Sequence, residues 1–127
     1  MLDYAASFFF RIVREVLRDD IILTVCRITD PAKSRVRGEQ ENNLTIKYLV
    51  SIIPPADNTS QKTLKSMLPQ IEARCAKFRD HRNRRIGHHD LDTRLSRPKA
   101  LLPAIGINDT DEALHSIGVA LNAVERH

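Results

Sequence analysis

Tryptophan is absent from this chain, and aromatic residues make up only 5% of it. The interior must therefore be filled by Leu, Ile, Val and Ala, which suits helix-on-helix packing better than a β-sandwich. Four glycines in the whole chain leave too few turn residues for a many-stranded fold. The two cysteines, Cys26 and Cys75, stand singly in apolar helical patterns. They read as buried reduced thiols, and without a CxxC pair they argue against a zinc site built on cysteine. No run approaches the ~20 apolar residues of a membrane span. A secretory leader is also missing: Asp3 interrupts the start, and Arg11 and Arg14 break the apolar stretch after Phe10. The expectation is a cytoplasmic protein without membrane attachment.

What is present is ordinary globular material. The 127 residues suffice for one domain with one core, spanning 1–127, and an apolar share of 42% argues against disorder. Residues 2–29 predict a helix bending near Asp19-Asp20, with Leu2, Ala5, Phe9, Ile12, Val13 and Val16 at the spacing of one face. Phe8, Phe10 and Leu17 widen that stripe, so the helix has apolar surface for its own domain and for a partner. Thr29-Asp30-Pro31 ends it, and residues 32–42 read as an exposed loop. A short helix follows, capped by Asn42 or Asn43, with Ile46, Leu49, Val50 and Ile53 inward and Pro54-Pro55 as its stop. The third helix buries Leu64, Met67, Leu68, Ile71, Cys75 and Phe78, with Pro69 expected to kink or split it. After an irregular stretch over 92–107, a last helix starts near Asn108 to Thr110. Asp109 and Glu112 have capping-box spacing there. Its inward face is Leu114, Ile117, Leu121 and Val124, and Gly118 is expected to permit close packing. The sum is an all-α, up-down bundle of four to five helices, which by itself implies no function.

Charge is concentrated. Between Glu72 and Arg97 there are eight Arg/Lys and four acids, an excess equal to the +4 of the whole chain. His81, His88 and His89 lie in the same stretch. Continuing the third helix's apolar stripe beyond Phe78 leads four residues on to Arg82. A cation on an inward face either reaches water along its stem or is held by a partner.

The segment Arg82-Asn83-Arg84-Arg85-Ile86-Gly87-His88-His89-Asp90 resembles the Arg-Asn-Lys-x-x-Ala-His-x-Asp segment of HEPN domains. Two further pieces resemble the AbiU2-like, abortive-infection branch of that superfamily: Cys26-Arg27-Ile28-Thr29-Asp30-Pro31 and Asn43-Leu44-Thr45. The resemblance runs in order over roughly residues 20–125. It implies a HEPN-like helical bundle, a homodimer, metal-independent ribonuclease activity without a cofactor, RNA as partner, and a setting in phage defence or a toxin-antitoxin pair with an antitoxin protein. Carried over by position, Arg82, Asn83 and His88 are the catalytic candidates. Arg79, Arg84, Arg85 and His89 are the candidates for RNA phosphate. Gly87 stands where the family has Ala, which loosens a helix by about 1 kcal/mol.

The residue types suit the chemistry. RNA carries its own nucleophile, the 2′-OH; a histidine near neutrality moves the protons, and an arginine stabilises charge on the phosphorus oxygens. On a regular helix, positions six apart lie about 240° around the axis. Arg82 and His88 would then not share a face, a difficulty eased by a site that draws on two chains. Arg82 with His89, and Arg84 with His89, are the alternative pairings, although the family spacing favours His88. Three rival readings remain. The first is a metal site built from His81, His88, His89, Asp90 and Asp92; the second is a non-catalytic HEPN module for nucleotide, RNA or protein; the third is a plain dimerising bundle.

Overall fold

The structure is a computed structural model that describes residues 2–54, 58–87 and 102–125. Among the described residues it is all-α apart from one small hairpin. Helix α1 spans Leu2–Thr29 without interruption at Asp19-Asp20. Strands β1 (Lys33–Val36) and β2 (Glu39–Asn42) pair antiparallel, Lys33 opposite Asn42 and Val36 opposite Glu39. Helix α2 spans Ile46–Ile52, α3 spans Asn58–His81, a π-helical segment covers Arg82–Gly87, and α4 spans Ile107–Glu125.

The hairpin corrects the expectation of a loop over 32–42. Its strands carry little apolar alternation, so strand periodicity is silent. The pairing rests on a two-residue turn in which Arg37 (φ 51°) and Gly38 (φ 94°) both take positive φ, as hairpin twist requires. Thr45, rather than Asn42 or Asn43, caps α2: its Oγ1 accepts from the Tyr48 amide at 3.1 Å. Ile53 ends that helix in extended geometry, as a residue before proline must. Pro69 does not split α3, which is one continuous element.

The core joins Ile22, Val25 and Cys26 of α1, Ile46 and Val50 of α2, Leu64, Ile71, Cys75 and Phe78 of α3, and Ala113, Ile117 and Ala120 of α4. Both thiols are free and buried. Burial pushes Cys26 up to about 11 and raises Cys75 too, which leaves them unreactive. Helix α4 starts at Ile107, earlier than expected. Gly106 is its cap, and the Asp109 carboxylate accepts from the Gly106 amide at 2.8 Å. Its buried face is Ala113, Ser116, Ile117 and Ala120, with Leu114 and Leu121 outside. Gly118 makes no close approach, since a Cβ built there would meet nothing. Arg74 locks α3 to α4 by donating to Ser116 Oγ at 2.5 Å and to the Glu112 carbonyl at 3.2 Å.

The N-terminal half of α1 behaves differently. Phe8, Phe9, Phe10, Ile12, Val16 and Leu17 are exposed, Val16 at 62%. Part of this surface flanks an open groove of about 680 Å³, lined by Phe10, Leu17 and Ile21 with Phe78, Ile105 and Ile107. Among the described residues, no helix is long and apolar enough to cross a membrane.

Candidate active site

The last turn of α3 and the π-helical segment carry the charged motif, and α1 supplies what holds it. Arg82 donates through Nη1 to both carboxylate oxygens of Asp30, each at 2.6 Å, across 52 residues of sequence. Its Nε donates to Asn83 Oδ1 at 3.1 Å. The two partners of the ion pair are about one-quarter exposed, 27% for Arg82 and 26% for Asp30. They are therefore sheltered but within reach of solvent. The Asp30 carboxylate pushes the Arg82 guanidinium above its already high range, against the opposing effect of burial. Arg82 is a charged clamp at any physiological pH.

Asp30 sits where a carboxylate is ordinarily disfavoured. It follows directly on the C-terminal end of α1, where the helix dipole repels an anion by about 0.3–1 kcal/mol. The Arg82 contact offsets that repulsion. The turn around Asp30 is fixed from the other side: Asn43 Nδ2 donates to the Pro31 carbonyl at 2.9 Å, and the Asn43 amide to the Ala32 carbonyl at 2.8 Å. Ser34 Oγ in turn donates to Asn43 Oδ1 at 3.1 Å. The three distinctive sequence pieces thus form one connected unit, in which Asn43 holds the turn, the turn presents Asp30, and Asp30 holds Arg82.

The other arginines are placed as follows. Arg79 donates to the carbonyls of Glu72 (3.3 Å) and Thr29 (3.5 Å), tying α3 to the end of α1. Arg85 is hydrogen-bonded to Glu15, with Asp19 at 3.9 Å. Arg84 is half-buried in the same segment. Asn83 is exposed, and its Oδ1 turns back to Arg82. His88 and His89 lie outside the described residues.

Two features went unseen in the sequence. Arg82–Gly87 is π-helical, so i→i+5 hydrogen bonds replace the α pattern and the angular count for positions six apart no longer applies. Arg82 and Arg85, three residues apart, are drawn onto Asp30 just beyond α1 and Glu15 within it, and Gly87 closes the segment. The second feature is His81. It is buried, and its Nε2 donates to the Pro103 carbonyl at 2.6 Å. Because a carbonyl only accepts, Nε2 carries the proton. Nδ1 is buried and has no hydrogen-bond partner among the described residues. Asp19 Oδ1 is likewise buried without a hydrogen bond, and burial, then Glu15, raise that carboxyl while His81 lowers it. Of the five residues weighed as metal ligands, only His81 is described, and among the described residues no group of three potential ligands occurs.

Comparison with known proteins decides the family. The HEPN AbiU2 family model matches residues 2–127. The chain belongs to the AbiU2 family of HEPN domains. The helical fold agrees with that assignment, and the family places the protein among abortive-infection-related HEPN domains. No curated protein and no solved structure matches the chain. Within this HEPN domain, Arg82 is paired with Asp30, and Asn43 holds the turn that follows Asp30.

Proposed function

We propose that this HEPN domain is a metal-independent endoribonuclease, acting in phage defence or as the toxin of a toxin-antitoxin pair, with its site completed in a homodimer. The observation that carries the reading is the fixed Arg82 guanidinium: a permanent cation, partly exposed and held at two of its nitrogens. The π-helical geometry at the motif supports it, since such segments recur at functional sites.

In this mechanism His88 removes the proton of the RNA 2′-OH. The freed oxygen attacks the adjacent phosphorus, a new O2′–P bond forms, and the P–O5′ bond breaks. The leaving 5′-oxygen takes a proton from the imidazolium so formed, directly or through water, and the products are a 2′,3′-cyclic phosphate and a 5′-OH. Arg82 stabilises the charge that gathers on the non-bridging oxygens. Asn83 steadies the guanidinium through its Oδ1, and Arg79, Arg84, Arg85 and His89 hold flanking phosphates. The exposed N-terminal half of α1 and the groove beside it supply the contact with the second copy. Apolar surface of this extent on a small domain marks an interaction site.

One observation favours a second reading. Arg79 and Arg85 are engaged by groups of α1, and Arg82 by an acid, so much of the motif's charge is neutralised within the chain. A non-catalytic HEPN module that binds RNA or an antitoxin needs no more than that. The experiment that separates the two is cleavage of end-labelled RNA in EDTA by the wild type, Arg82→Ala and His88→Ala. The ribonuclease reading predicts cyclic-phosphate ends and a fall in rate of about 10²–10³-fold for Arg82→Ala. RNA retarded but uncut by the wild type establishes the binding module instead.

A further inference from the structure

We infer that Asp30 is the positioning residue of this site, a carboxylate that aims the Arg82 guanidinium at the RNA phosphate and is itself set in place by the Asn43 clasp on Pro31. The inference rests on the ribonuclease reading of Arg82, and deepens it. Asp30 meets Arg82 end-on: both its oxygens lie 2.6 Å from the single nitrogen Nη1. Asn83 Oδ1 takes Nε. Two anchors on different nitrogens fix both the position and the plane of the guanidinium, and neither contact engages Nη2. An arginine on a long flexible stem ordinarily loses much side-chain entropy when it closes on the charge that develops in the transition state; one already immobilised loses little there. The same argument explains why the acid is tolerated at the C-terminal end of α1, where the helix dipole opposes it.

The placement of Asp30 is itself over-determined. Three hydrogen bonds converge on the turn: Asn43 Nδ2 to the Pro31 carbonyl, the Asn43 amide to the Ala32 carbonyl, and Ser34 Oγ to Asn43 Oδ1. The hairpin gains a role from this. It brings Asn43 back onto the end of α1, so that an otherwise solvent-facing ribbon serves as the brace of the site.

The test uses the whole chain and Asp30→Asn, which keeps the shape and removes the charge. Cleavage in EDTA is expected to show kcat lowered about 10–100-fold with KM nearly unchanged, because orientation is lost and affinity is not. In an Arg82→Ala background the same change is expected to have no further effect, since the two residues act as a unit. Asp30→Glu is expected to restore part of the rate. A parallel readout does not depend on cleavage: the Nε–H resonance of Arg82 in ¹⁵N-arginine spectra is expected to be sharp in the wild type and averaged in Asp30→Asn. If the wild type cuts no RNA while this spectral contrast holds, the ribonuclease reading falls and the positioning of Arg82 stands. Asn43→Ala, which leaves both partners intact, is expected to move rate and spectrum in the same sense by a smaller factor. It serves in place of Asp30→Asn should that variant fail to fold. Asp30→Asn that cuts at the wild-type rate or faster overturns the inference, as does an Arg82 signal equally averaged in the wild type.

Discussion

The two halves of α1 carry the same kind of sequence and meet opposite fates. In the C-terminal half, Ile22 is 1% exposed and Val25 and Cys26 are fully buried in the core, where α1 packs chiefly on α3. In the N-terminal half, Phe9 is 60% and Val16 is 62% exposed, although they follow the same three-four spacing. Periodicity therefore identifies a face that requires cover; it does not say which chain provides the cover. The sharpest way to break the comparison is to truncate one residue in each half. Ile22→Ala is expected to cost about 2–5 kcal/mol in urea unfolding, through lost burial and the cavity left behind. Val16→Ala is expected to stay within about 0.5 kcal/mol for the isolated chain. Equal costs would show that the N-terminal half packs within its own domain after all.

The next prediction concerns the cover itself. If a second copy lies on the exposed half, Val16→Asp places an unpaired carboxylate in an apolar contact. Sedimentation equilibrium is expected to show the dimer weakened by at least about tenfold, the equivalent of ~1.4 kcal/mol, with the unfolding midpoint of the chain little changed. Cleavage per chain is then expected to fall at low protein concentration and to recover at high concentration. A wild type that sediments as a monomer at micromolar concentration would remove the dimer from the mechanism.

The same contrast explains what was legible in the sequence. The helices, their order and the inward stripe of α3 follow from apolar spacing. Arg82 was legible as the residue that continues that stripe with the wrong polarity. Its partner is not: Asp30 stands in the sequence only as part of a helix-ending piece, and nothing local connects it to a residue 52 positions away. On α4, Ile117 and Val124 pack inward as their spacing predicts, but Leu114 and Leu121 do not, because pattern reading favours the largest apolar side chains. The structure instead buries Ala113, Ser116 and Ala120, whose small size lets helices approach closely, and leaves Leu114 and Leu121 outside. The hairpin was missed because its information lies in the positive φ of Arg37 and Gly38 rather than in strand composition. In each case the missing information was tertiary or conformational, and a linear pattern does not contain it.

The smallest expected effect lies at the boundary between the two halves, at Asp19, and its sign is opposite to the others. One Asp19 carboxylate oxygen is buried without a hydrogen bond among the described residues, and Arg85 lies 3.9 Å away, at the outer limit of an ion pair. Burial first, then the neighbouring Glu15, raises the Asp19 pKa above the ordinary aspartate range, with His81 pulling it partly back. A carboxyl whose pKa is higher in the folded state binds its proton more tightly there. Relative to an uncharged side chain it costs nothing below the unfolded pKa, and it weakens the fold as the pH rises through the folded value. Asp19→Asn is therefore expected to raise the thermal midpoint at neutral pH. The gain should shrink as the pH falls and vanish once the carboxyl is protonated in both states. The exposure of this side chain and the proximity of Arg85 both make the gain modest. Midpoints of the two proteins measured across the acid range decide the matter: a difference that is constant with pH, or that favours the wild type at neutrality, would mean that Arg85 compensates Asp19 fully and that the boundary of the two halves holds no electrostatic strain.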